Sequence, residues 1–166
     1  MSLAVSRRGA LNLSVLCAIM LYCSSAVAAT CSIVSATLSF GQYDGLAANP
    51  RLASGVVRVT CSKDPLLAVE ALTLTLQLLP STTGPGGLRV INAGASVLPF
   101  DVFIDLLRTQ RWGDGTQGTF TVTGLTTLTT ALPTTTLDFP VYGRIPTGVS
   151  TPSGPYSALL NINLTY

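Results

Sequence analysis

Apolar and polar residues alternate with a period of two along most of the chain after residue 30. Val57, Val59 and Cys61 alternate with Val56, Arg58 and Thr60, and the run LTLTLQL puts Leu72, Leu74, Leu76 and Leu78 on one face with Thr and Gln on the other. In an extended chain successive side chains point to opposite faces, so each run predicts a half-buried strand. Further strands are predicted over Ser32 to Phe40, Val97 to Leu106, Thr119 to Val122, Leu137 to Arg144 and Tyr156 to Tyr166. Between them stand DGLAANP, PSTTGPGG, WGDGTQG and PTGVSTPSGP, whose Gly, Pro, Asn and Asp supply turn chemistry. Thr123 to Thr136, TGLTTLTTALPTTT, is low in complexity and reads as a long connection between strands. With no helical period anywhere in this stretch, the expectation is an all-β antiparallel sandwich.

The last predicted strand is the most regular. In YSALLNINLTY, Tyr156, Ala158, Leu160, Ile162, Leu164 and Tyr166 point one way and Ser157, Asn161, Asn163 and Thr165 the other, with Leu159 the exception. An apolar edge of this kind, with no later segment to cover it, invites pairing with another chain.

The residues before 30 follow a different pattern. Arg7 and Arg8 precede an apolar run from Ala10 to Tyr22, and Ala26-Val27-Ala28 places small residues where a signal peptidase reads them. The start therefore reads as a secretory signal over residues 1–29, followed by one sandwich domain over residues 30–166, with the mature chain opening at Ala29 or Thr30. As a membrane anchor the run is short of the about 20 residues a span needs, and it carries Asn12 and Ser14. A lipoprotein signal ending at Cys23 would place the bulky Tyr22 where a small residue belongs.

Export changes the charge and cysteine counts. The whole chain has nine basic and seven acidic residues. Loss of Arg7 and Arg8 leaves a net charge near zero, which argues against nucleic acid or an anionic membrane as partner. Cys17 and Cys23 leave with the signal, and Cys31 and Cys61 are expected to form a disulfide worth roughly 3.5 kcal/mol in the chain-entropy model.

The chain has no histidine, which removes Ser-His-Asp and Cys-His catalysis and His-based zinc sites. A hydrolase using two carboxylates is the remaining enzymatic option. Asp101 and Asp105 lie four residues apart on one predicted strand, which separates their backbones by roughly 13 Å, against about 5 to 9.5 Å between glycosidase carboxyl groups. They read as solvent-facing charges. Trp112 is a candidate either for stacking on a sugar or surface or, within an Asp-Gly hairpin, for covering the core. Arg144 reads as a surface residue or as the partner of a buried carboxylate.

The order CSIVSATLSFGQYD, GVVRVTC, DVFIDLLRTQRWGDGT, FPVYGRIPTG and GPYSALLNINLTY resembles the spore coat protein U domain family, to which subunits of archaic (Csu-type) chaperone–usher pili belong. The resemblance covers essentially the whole mature chain; an Asp that the family commonly places soon after the last Tyr of the GxY motif is here replaced by Ser157 and Ala158. It implies an incomplete immunoglobulin-like antiparallel sandwich lacking the final strand, with an open groove beside the C-terminal strand. With catalytic chemistry so limited, the expectation is a structural protein without enzymatic activity, cofactor or metal. A periplasmic chaperone would fill the groove first. At the outer-membrane usher, the donor strand of a neighbouring pilin subunit would replace the chaperone, a form of β-augmentation. Carried over by position, the assembly edge is Tyr156, Leu160, Ile162, Leu164 and Tyr166, facing Ile33 and Leu38.

Polymerising subunits of the family carry a donor segment before the first cysteine, where the mature chain has only Ala29 and Thr30. Two residues cannot span a groove made for a strand of about five. The chain is thus expected to accept a strand but not donate one, as a tip or terminal subunit serving adhesion or biofilm formation. The other reading is a self-associating secreted coat or matrix protein without a pilus.

Overall fold

Ten strands and no helix make up the described residues, which in this computed structural model are 28–80, 88–93, 96–149, 151–152, 154–156 and 160–166. The strands are β1 (Thr30–Leu38), β2 (Gln42–Tyr43), β3 (Arg51–Ser62), β4 (Val69–Leu78), β5 (Arg89–Ala93), β6 (Ser96–Phe103), β7 (Val122–Thr129), β8 (Thr134–Ile145), β9 (Gly154–Pro155) and β10 (Ile162–Thr165). One sheet has the order β1-β3-β8-β6-β5, a second β10-β4-β7, and β2 and β9 form a separate pair. Every ladder is antiparallel. The inward residues of both larger sheets form one core, including Val57 and Val59 of β3, Leu74, Leu76 and Leu78 of β4, Phe100 and Val102 of β6, Leu128 of β7 and Val141 of β8. This is the antiparallel sandwich expected from the period-two pattern, and it is consistent with the immunoglobulin-like fold that the family resemblance implies.

Several boundaries differ from those expectations. The threonine-rich stretch is not a long connection. Val122–Thr129 is a strand, a tight turn closes between Thr129 and Leu132 with N···O distances of 3.1 Å in both directions, and β8 begins at Thr134. β-Branched threonines favour extended chain, and Leu128 anchors the inward face of β7. Gly124 holds its place there because a Cβ would stand 2.6 Å from the Phe139 ring. Of the stretch Thr119 to Val122 only Val122 lies in a strand, as the first residue of β7; Phe120 makes an isolated bridge to Trp112.

β6 stops at Phe103 because Asp105 turns the chain. Its carboxylate accepts the amides of Thr109 at 3.0 Å and Gln110 at 2.7 Å, and Arg108 takes a left-handed φ of 56° in the same turn. At the C-terminal end the strand covers Ile162–Thr165, shorter than Tyr156 to Tyr166. Ser157 to Leu159, including the predicted inward Ala158, lie outside the described residues.

Candidate functional site

Strand β1 pairs only with β3 and strand β10 only with β4 among the described residues, so each is the edge of its sheet. A cavity of about 260 Å³ opens between these edges, with Ala36, Leu38, Leu160 and Ile162 at its rim and Val57, Val102 and Trp112 in its floor. A neighbouring hollow of about 150 Å³ shares Leu38 and Leu160 with it and extends over Phe40, Ile91, Phe100 and Tyr156. Together they form an apolar groove along the sandwich.

The pairing of β1 decides which side chains line that groove. Cys31 and Ile33 lie opposite Cys61 and Val59, the register then shifts at Val34, and Ala36 and Leu38 lie opposite Val57 and Gly55. The extra residue is a β-bulge, and it turns Ala36 and Leu38 to the core side of the sheet. Yet Ala36 is exposed and Leu38 only half-buried, whereas Val57 beside them is buried. Inward-facing side chains without cover are what an unfilled core leaves behind.

On the other rim, Ile162 lies opposite Leu78 and Leu164 opposite Leu76. Both partners are fully buried, while Ile162, Leu164 and Leu160 are half-buried. The outward face is tied down by polar bonds: Asn163 Nδ2 donates to Gln77 Oε1 at 3.1 Å, and the Leu79 amide donates to the Asn161 carbonyl at 2.9 Å. Ile33, expected across the groove, packs half-buried against the core.

The other members of the expected edge lie elsewhere. Tyr156 stands apart from β10; its hydroxyl donates to the Pro152 carbonyl at 2.6 Å and its ring meets Tyr43 edge-on at 6.2 Å, at the end of the groove. Tyr166 follows β10 and is half exposed. Cys31 and Cys61 form the disulfide, with an S–S distance of 2.03 Å and Cα atoms 4.0 Å apart, across the β1–β3 ladder.

Trp112 is not a surface platform. Only 2% of it is exposed, and its indole Nε1 donates to the Leu76 carbonyl at 3.2 Å, which places the ring under the groove. The chain is bent into this position by bonds on both sides: the Trp112 amide donates to Val102 and the Gly113 amide to Phe120. Arg144 is exposed, its guanidinium 5.0 Å from the centre of the Phe103 ring.

Asp101 is the main departure from the expected chemistry. It is 3% exposed rather than solvent-facing, and it is ion-paired with Arg111. Asp105 lies beyond the strand, in the turn it caps, so the two carboxylates share no face. Nearby, Arg89 donates to the carbonyls of Leu79 at 3.0 Å and Leu78 at 3.4 Å; burial lowers its pKa, partly countered by the charge of Asp101. These residues, with Asp114, border a polar cavity of about 310 Å³. It is larger than the apolar cavity, but its two arginines and two aspartates balance in charge and it does not lie between the free strand edges. The groove is the better candidate site.

Of the floor residues, Trp112 stands out in the sequence only as a surface platform or a core cover, and Val102 does not stand out at all. The available signal was the alternation in PFDVF, which puts Phe100 and Val102 on one face, but nothing local shows that this face lies under a gap.

The Spore Coat Protein U domain matches residues 18–163. A relative called Protein U, from Myxococcus xanthus, is 33% identical over 153 residues, covering 84% of this chain and 79% of that protein. The sandwich, the disulfide and the open edge thus stand in a chain that belongs to the Spore Coat Protein U domain family.

Proposed function

We propose that this chain is an exported structural subunit of a surface fibre, assembled when a partner's β-strand enters the groove between β1 and β10. One observation carries the reading: Ala36, Leu38, Leu160 and Ile162 face a cavity of about 260 Å³ between two free strand edges, above a buried floor. An inserted strand would hydrogen-bond to both edges and bury alternate side chains in the hollows, combining main-chain affinity with side-chain selectivity. The first occupant is a strand of a periplasmic chaperone, and the final one is the N-terminal donor strand of a neighbouring subunit, exchanged at an outer-membrane usher. The fibre serves attachment to surfaces, with this subunit at its end.

The test uses the exported protein and a synthetic peptide copying the N-terminal donor strand of a partner subunit. The peptide should bind and raise the melting temperature with concentration, because a ligand selective for the folded state stabilises it by mass action. Replacing two alternate apolar residues of the peptide with Asp should abolish the shift. No binding by either peptide overturns the reading.

The family's coat domain description supports a second reading, a secreted coat protein that associates with its own copies. Purified copies that assemble without any donor would favour it.

A further inference from the structure

The start of β1 is held by a carboxylate from the other sheet. The Ala29 nitrogen donates to Glu70 Oε1 at 2.8 Å, and Glu70 Oε2 accepts the Asp64 amide at 2.9 Å. Ala29 is buried while Ala28, one residue earlier, is exposed, so burial begins at the bond between them. That bond also follows the small-residue pattern Ala26-Val27-Ala28. The same corner holds an unexplained group: Asp64 is 3% exposed, and its Oδ2 is buried without a hydrogen-bond partner.

We infer that Glu70 is the docking site of the amino terminus created by cleavage between Ala28 and Ala29. This rests on the export reading above. Hydrolysis during export adds one water across the bond. The Ala28 carbonyl carbon gains oxygen and leaves as a carboxylate, and the Ala29 nitrogen leaves as an amine that takes up a proton at neutral pH. The amide has one N–H; the ammonium has three. One continues the bond to Glu70, now as a charge-assisted pair, and the additional donors and positive charge answer the buried acceptor in this corner. The charged groups that hydrogen bonds bring together here are Glu70, Asp64 and Lys63, the last donating to the Asp64 and Leu67 carbonyls.

Docking has a consequence for assembly. An amino terminus fixed on the body of the domain leaves no chain ahead of β1 to reach a neighbour. The subunit then receives a strand without giving one, which is the requirement for the end of a fibre.

The experiment is made on the exported protein. Mass spectrometry should give Ala29 as the first residue. NMR titration of the ¹⁵N-labelled α-amino group should give a midpoint at least one unit, or tenfold in proton affinity, above the ordinary value of about 7.7–8.0. The sign is that of a raised pKa: the stabilisation is complete below the ordinary value and is lost as pH rises through the raised one. Glu70→Gln should return the midpoint to the ordinary range. As Lys63 is the single lysine, an amine-directed reagent reports on two sites only, and Ala29 in the parent protein should react at least tenfold faster in urea than when folded. That comparison holds whether or not the variant folds. A different first residue, or Ala29 with an ordinary midpoint and equal reactivity, overturns the inference. Neither result alters whether the donor peptide binds the groove, so the two readings fail separately.

Discussion

At the scale of single residues, burial divides the ion pairs into two kinds. Arg58 and Asp138 pair at 2.7 Å on the outer face of the sheet with both side chains about half exposed, whereas Asp101 is buried against Arg111. Removing Arg111 leaves a carboxylate with little water to replace its partner, at a cost of about 1–3 kcal/mol. Arg111→Ala should therefore lower the urea midpoint clearly, and Arg58→Ala should move it far less; equal effects would show that Asp101 is better solvated than its burial implies. These roles were poorly legible in the sequence. Alternation puts Asp101 opposite Phe100 and Val102, on a face normally read as wet, and only the chain's return through Arg111 shows that this face is covered. Trp112 posed the same difficulty, since RWGDGT fits an exposed ring as well as a buried one until its hydrogen bond to Leu76 is seen.

At the scale of strands, legibility followed the strength of alternation. β3, β4 and β8 were foreseen because aliphatic residues mark one face of each, and the cysteine pairing followed from count and compartment. β7 was obscured because threonine serves either face, and β5 because five residues between turn-rich stretches give little period to count. The groove's rim on β10 was visible in INLT, but its floor was not, because it is assembled from β3, β6 and the Trp112 segment. Replacing Cys31 and Cys61 with Ser should cost roughly 3.5 kcal/mol by the entropic account, read as a shift in chemical unfolding of the oxidised and variant proteins. For β10, Ile162→Asp would place a charge in an apolar hollow, while Asn161→Asp alters an exposed position. The first should abolish co-purification with a periplasmic chaperone and the second should preserve it. If both variants are captured equally, β10 is not the docking edge.

For the molecule as a whole, several carboxylates couple folding to pH. Asp138 is held below its ordinary value of 3.8 by the hydrogen bond and charge of Arg58, and Asp114 by the hydroxyl and amide of Thr116. At Asp105 desolvation acts upward, but the amides of Gln110 and Thr109 and the Thr109 hydroxyl outweigh it, and the net shift is also downward. A folded pKa below the unfolded one gives stability that is present above the ordinary carboxylate range and lost as pH falls through the folded value. Urea midpoints should thus vary little from pH 7 to about 5 and decline below about 4. The combined Asp105→Asn, Asp114→Asn and Asp138→Asn variant should show a shallower decline; an unchanged slope would assign acid sensitivity to other groups.

The bulge at Val34 makes the first strand unusually tolerant of a lost residue. In an unbroken ladder, deleting one position turns every later side chain over. Here Ile33 faces Val59 and Ser35 faces Arg58, so deleting Val34 simply joins two stretches already in step. Ala36 and Leu38 keep their direction, and the disulfide is untouched. The shortened protein should bind the donor peptide as the parent does, and loss of binding would mean that the kink itself, rather than the side chains it aims, shapes the receiving surface. A frame set by one surplus residue can be read in two lengths, and the chain carries the longer.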